Sequence, residues 1–324
     1  TIIALMQKRG VPGASVAIVQ DGKLVRAKGQ VVIEAGGTAP VTEDTLFQAA
    51  SISKPVSALG ALRLVEAKKL ELDADVNKAL KSWKVPENEF TATEKVTLRR
   101  VLSHTAGLTV SGFLGYAPDA AQPTLLQVLA GEKPANSPAI RADIVPGGPF
   151  RYSGGGYVVL QQLVVDVANR PYPEFMRETV LKPLGMLASS FEQPPSETLA
   201  PKTATAHGPD GKPLPGRWRI HPEIAPAGLW TTPSDLARFA IAMQQALAGK
   251  PDAVILSATA QLMVTPVKNR MGLGFLMAGS GPTERFTFNG RNQGFDSQFV
   301  AYREGGQAAV VMINTNDRSS FFPR

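Results

Sequence analysis

Apolar positions alternate at the two ends of this chain and cycle with a helical period between them. Residues 14–20, Ala-Ser-Val-Ala-Ile-Val-Gln, form a short apolar run; Asp21-Gly22 interrupts it and Lys23-Leu24-Val25-Arg26-Ala27 follows. Asp-Gly between two such runs is a strong hairpin signal, so the pattern predicts a helix over 1–9 and then an antiparallel pair. From 54 to 70 the period changes: Val56, Leu59, Leu62, Val65 and Leu70 predict a helix. The middle, about 75–225, carries helical patterns broken by Pro and Gly, at Leu98–Ser103, Leu125–Ala130 and Tyr157–Ala168. Pro194–Pro226 reads as loop and irregular hairpins. A helix is expected again over Pro233–Ala248, with Thr232 or Ser234 as N-cap. Arg285–Phe288, Ser297–Tyr302 and Ala308–Ile313 read as strands. Strands at both ends with helices between predict an α+β layering. Residues 1–75 and 226–324 would build one sheet-containing domain from both termini, and 76–225 a mainly helical insert.

Composition narrows the field by exclusion. Of 324 residues 44% are hydrophobic, enough for a full core, and 30 Gly with 26 Pro predict many turns but not disorder. The net charge is +7 with no run of four Lys/Arg, so no nucleic-acid groove is expected. There is no cysteine, which removes disulfides, thiol nucleophiles and Cys-type metal sites. His104, His207 and His221 are the only histidines, and none has a second His or a carboxylate at helical metal spacing. No metal or cofactor is therefore expected. No apolar run reaches the roughly 18 residues that cross a membrane. The chain begins at Thr1 rather than Met. The expectation is an exported protein, periplasmic or secreted, whose signal segment lies outside this chain.

Candidate chemistry rests on serine. No Gly-x-Ser-x-Gly occurs, which argues against an α/β-hydrolase elbow. His104, in Leu102-Ser103-His104-Thr105-Ala106-Gly107-Leu108, reads as a helix end with Gly107 as left-handed cap. Ser51-Ile52-Ser53-Lys54 is the only Ser-x-x-Lys in the chain and precedes the strong helix. Three residues make about one turn, so Ser51 and Lys54 share a face. Burial would lower the lysine pKa and let it take the seryl proton. Equally, Ser51 or Ser53 reads as an ordinary N-cap with Lys54 in solvent. Tyr152 precedes Gly154-Gly155-Gly156 and a helix. It reads either as an aromatic plug or as a proton carrier whose pKa a nearby lysine ammonium would lower.

These residues carry a resemblance. Gly10-Val11-Pro12-Gly13-Ala14-Ser15, Phe47 to Lys54, Leu102 to Leu108, Arg151-Tyr152-Ser153, Leu181 to Met186 and Ala227 to Ala237 stand in the order found in one superfamily. The chain resembles the serine β-lactamases and penicillin-binding proteins, on the class C side that includes the family VIII carboxylesterases. The resemblance implies the β-lactamase/transpeptidase-like fold, Ser51 as nucleophile, Lys54 as its proton acceptor and Tyr152 as second acid/base. It places Gly154 where the family's Tyr-x-Asn has its amide, and Phe288-Asn289-Gly290 where the family has Lys-Thr-Gly or His-x-Gly. The backbone N–H groups of Ser51 and Arg291 would hold the oxyanion. Gly154, Phe288, Asn289, Gly290 and Trp230 would meet substrate, in a cleft walled by Tyr116 or its neighbours and by the Pro-rich segment. The family usually ends in a helix beside the N-terminal one, so a terminal helix is expected beyond Arg324.

With Phe288 in place of the cation that meets a substrate carboxylate, the expected reaction is hydrolysis of small uncharged esters through an acyl-enzyme. The alternatives are an amidase of the D-amino-acid peptidase or β-lactamase type, and a penicillin-binding sensor that is acylated once without turnover.

Overall fold

The computed structural model describes residues 2–316. In chain order its elements are α1 (Ile2–Arg9), β1 (Gly13–Gln20), β2 (Lys23–Val31), β3 (Phe47–Gln48), α2 (Ser53–Glu66), α3 (Leu98–Leu102), α4 (Leu125–Ala130), α5 (Gly154–Ala168) and α6 (Tyr172–Met176). There follow α7 (Ile224–Ala227), β4 (Trp230–Thr231), α8 (Pro233–Leu247), α9 (Ser257–Val264), β5 (Leu276–Ala278), β6 (Arg285–Asn292), β7 (Phe295–Tyr302) and β8 (Ala308–Ile313). The sheet runs β2-β1-β8-β7-β6-β5 and is antiparallel throughout. It is built from both ends of the chain, as expected of an α+β fold.

Local chemistry accounts for most boundaries. Asp21 and Gly22 both take positive φ, +53° and +70°, as a two-residue hairpin turn requires. The helix expected over 54–70 stops at Glu66, because the chain turns at Lys68 with φ +56°. Of the two cap candidates before α8, Thr232 serves: its hydroxyl accepts from the Asp235 N–H at 3.2 Å. Thr124 and Gln127 cap α4 reciprocally, and Gly131 closes it in the left-handed conformation.

Two faces of the sheet are covered. On one, Phe239 of α8 meets Phe275, whose ring also lies 5.5 Å from Phe299 and 5.0 Å from Phe286. These rings belong to the main core, which continues through α2 and α5. On the other face Met6 of α1, Val11, Ala14 and Ile313 form a small separate cluster. The expected terminal helix, with Phe321 to Arg324, lies outside the described residues.

Candidate active site

Ser51 lies in a 3-10 turn, Ala50–Ile52, that runs directly into α2. The turn is held from several sides. The Ala49 N–H donates to the Leu229 carbonyl at 2.8 Å, and the Ser297 hydroxyl donates to the Ala49 carbonyl at 2.9 Å. Gly290 of β6 lies against that same carbonyl so closely that a Cβ there would collide with it. Held in this way, Ala50 adopts φ +50°, a left-handed conformation that costs a non-glycine residue about 1–2 kcal/mol. Such strain persists only where the surroundings over-determine it. Neither serine caps α2: its N-cap is Ile52 with no side-chain bond, and the Ser53 hydroxyl accepts from the Leu229 N–H at 3.0 Å.

The structure brings Ser51, Lys54 and Tyr152 together. Lys54 is 2% exposed, and its Nζ lies 3.0 Å from Ser51 Oγ and 3.0 Å from the Pro226 carbonyl oxygen. Burial pushes its pKa from 10.5 down to about 7, because the low-dielectric interior disfavours the ammonium. The Tyr152 hydroxyl donates to Ser51 Oγ at 2.8 Å. Burial pushes this phenol up to about 12, the reverse of the lowering expected from a neighbouring ammonium. Desolvation has already suppressed the charge that would have lowered it. With Lys54 neutral, every atom has a role: Tyr152 donates to Ser51 Oγ, the seryl proton points to Nζ, and an Nζ hydrogen serves Pro226. That is the geometry of a general base beside an alcohol nucleophile, with a proton donor on the other side.

The other expected site residues divide by strand alternation. Along β6 the even positions are buried and the odd ones face outward. Phe288 therefore turns inward, 8% exposed, with its ring centroid 6.5 Å from that of Tyr152. Asn289 projects from the opposite face and does not line the site, contrary to expectation. Arg291 follows Gly290, and its guanidinium grips Asp296 through two bonds of 2.8 and 2.6 Å. Trp230 is also corrected: it is fully buried between Trp218 and Phe295, so it is core rather than wall. Tyr116 is likewise interior, accepting from the Asn136 N–H at 3.0 Å and reaching Glu223 at 3.4 Å. Its neighbour Phe113 packs against Gly154: a Cβ there would stand 3.1 Å from the Phe113 ring.

The glycine run after Tyr152 forms the first turn of α5, capped by Ser153, whose hydroxyl accepts from the Gly156 N–H at 2.9 Å. Glycine is needed for close approach. The Gly154 and Gly155 N–H groups donate to the Ser111 and Val110 carbonyls, and a Cβ on Gly155 would collide with the Thr109 carbonyl. Two partners of the triad were missed by sequence reasoning. The Pro226 carbonyl is a backbone group with no residue signature, and His104, read as a helix end, packs on Tyr152. Burial pushes His104 down to about 3 and His221 to about 4, so neither is a base in the working range. No cluster of metal-ligating side chains and no helix long and apolar enough to cross a membrane occurs among the described residues.

Comparison with known proteins agrees with this architecture. The chain is 27% identical over 337 residues to penicillin-binding protein 4 of Amycolatopsis lactamdurans, covering 98% of this chain and 85% of that one. It superposes on the octameric penicillin-binding protein homologue of Pyrococcus abyssi with a TM-score of 0.77 at 24% identity, over 98% of this chain and 72% of that one. The β-lactamase/D-alanine carboxypeptidase of Yersinia pestis gives a TM-score of 0.75 at 18% identity, over 98% and 91% of the two chains. The profile of the beta-lactamase family matches residues 1–324. By sequence and by fold, the chain belongs to the beta-lactamase family of serine hydrolases and penicillin-binding proteins.

Proposed function

We propose that the protein hydrolyses small uncharged esters through an acyl-enzyme on Ser51. The observation that carries this reading is the Lys54–Ser51–Tyr152 contact set beside Phe288, an apolar wall with no cation of its own. Neutral Lys54 takes the seryl proton as Ser51 Oγ attacks the ester carbonyl, and the carbonyl π electrons move onto oxygen. The Ser51 and Arg291 N–H groups receive that oxyanion. In support, Gly290 brings β6 against the Ser51 turn, and ladder alternation from the Asn292–Phe295 hairpin pair turns the Arg291 N–H away from β7. Collapse expels the alkoxide, which takes the Tyr152 proton, and the Lys54 ammonium reprotonates Tyr152. Water repeats the sequence on the acyl-serine and releases the acid.

Preference for uncharged esters is supported by the surroundings. Phe288 offers apolar contact beside Tyr152, and Phe113 packs against Gly154, two residues further on. The neighbouring guanidiniums are engaged: Arg291 with Asp296, Arg151 with Asp143, and Arg270 with the Met277 carbonyl. The test is the ratio of kcat/KM for nitrocefin to that for p-nitrophenyl butyrate. A ratio well below one is expected, rising about ten- to a hundred-fold in Phe288→Lys, since a charged hydrogen bond contributes roughly 1.5–3 kcal/mol. A wild-type ratio above one would overturn the ester reading. A burst of one equivalent without steady turnover would make the protein a binding module instead.

A further inference from the structure

His104 is a residue that the mechanism above does not use, yet it lies directly behind the acid/base. Its carbonyl accepts from the Arg151 N–H at 2.8 Å and its Nδ1 accepts from the Ser153 N–H at 3.1 Å. These two bonds bracket Tyr152, one on the residue before it and one on the residue after. The His104 ring centroid lies 4.5 Å from that of Tyr152 and 5.4 Å from that of Tyr157. To reach both amides, His104 takes φ +57°, unusual for a residue with a side chain. The side chain is 2% exposed, and acceptance at Nδ1 fixes the proton on Nε2.

We propose that His104 is the positioning residue for Tyr152: it clamps the backbone on both sides of that residue and lays its ring against the phenol, so that the hydroxyl stays on Ser51. Three things follow from the geometry. The ring must accept at Nδ1, because the Ser153 N–H is buried and would otherwise lose its partner. It must be flat, because it fills a slot between two tyrosines. No hydrogen bond joins it to Ser51 or Lys54, and the buried ring is uncharged in the working range and so exerts no charge on Lys54, which leaves Tyr152 as the route of its effect on turnover. The inference rests on the proposed role of Tyr152, and it is read in the pair of backgrounds with and without that hydroxyl.

The experiment is a double-mutant cycle of His104→Phe and Tyr152→Phe, with His104→Asn as the conservative arm. Two readouts are taken on folded protein checked by thermal melting: kcat and KM for p-nitrophenyl butyrate, and the rate at which a fluorophosphonate labels Ser51. His104→Phe keeps a flat ring and loses the acceptor. It is expected to lower kcat and labelling rate by at least about tenfold, with KM within about threefold. His104→Asn, whose carbonyl oxygen can accept from Ser153, is expected to recover part of that loss. In the Tyr152→Phe background His104→Phe is expected to change either rate by less than about twofold. Wild-type rates in His104→Phe, or a full tenfold loss in the Tyr152→Phe background, would overturn the proposal. Should wild type hydrolyse no ester while the labelling rates still show the coupling, the ester reading fails and the role of His104 stands.

Discussion

Lys54 is one turn from Ser51 and lacks any carboxylate partner for its charge. Its pKa of about 7 dictates the acid limb of the reaction. Below pH 7 the amine is protonated and cannot take the seryl proton, so kcat/KM for an uncharged ester is expected to rise tenfold per pH unit towards 7 and then level. A flat profile between pH 5 and 8 would remove Lys54 as the base. Ser51→Ala is expected to abolish turnover with the fold intact, and activity above about one tenth of wild type would contradict the nucleophile assignment. Lys54→Ala is expected to lose about 10²–10⁴-fold, and Lys54→Arg to rescue nothing, because a guanidinium keeps its proton. Tyr152→Phe is expected to lower kcat more than it changes KM. At this scale spacing put Ser51 and Lys54 on one face but left a cap with Lys54 in solvent equally open, because the burial of Lys54 that separates the two readings is not written in the motif. The tyrosine was legible in position but not in ionisation. Its pKa depends on how deeply the phenol itself is buried, which local sequence does not record.

Elements explain why the rest of the site was harder to read. The strands and the long helices announce themselves through period. By contrast α7, four residues within a Pro-rich loop, has no period to detect, and it carries the Pro226 carbonyl that holds Lys54. The glycine run before α5 was legible as a feature, but not its partner: the carbonyls of residues 109–111 that dock on α5 come from a distant loop. Gly155→Ala is accordingly expected to destabilise the protein by about 1–3 kcal/mol, as overpacking does, and to impair turnover by moving Tyr152. Chemical denaturation and kcat measured on the same preparation would check this, and unchanged stability would contradict the packing. Glu223, just before α7, is wholly buried, and burial pushes its carboxyl up from 4.5 to about 7. Between those values the unfolded chain is ionised and the folded one is not, so stability falls as pH rises through this window and stays low above it. Glu223→Gln should therefore raise the melting temperature at pH 8 and leave it little changed at pH 4. An equal gain at both would show that ionisation is not what the residue opposes.

Across the whole molecule the same linkage sets a tension between stability and activity. Lys54 has a folded pKa of about 7 against 10.5 for the free side chain. Below 10.5 the unfolded chain binds a proton that the folded one holds less well. Stability therefore rises with pH between about 7 and 10.5, and below 7 the full deficit remains. At about 1.4 kcal/mol per pKa unit the deficit is on the order of 5 kcal/mol. Lys54→Met, which keeps the volume and loses the charge, should be more stable than wild type at pH 6, with the gap narrowing towards pH 10. Urea unfolding at the two pH values measures it, and a variant less stable at pH 6 would show that the bonds to Ser51 and Pro226 outweigh the desolvation. The overall α+β layering was legible because both ends of the chain alternate. The placement of β8 between β1 and β7 was not, since pairing partners some 300 residues apart leave no local trace.

That placement has a consequence for synthesis. A ribosome makes β1 and β2 first, and the strand that fills the gap between β1 and β7 is the last of the sheet to emerge. Until residues 308–313 leave the exit tunnel, the nascent β1–β2 hairpin presents an open edge, and the β7 edge behind Ser51 lacks the strand that joins it to that hairpin. Chains terminated early would have no partial hydrolase to offer, only unpaired edges for quality control to recognise.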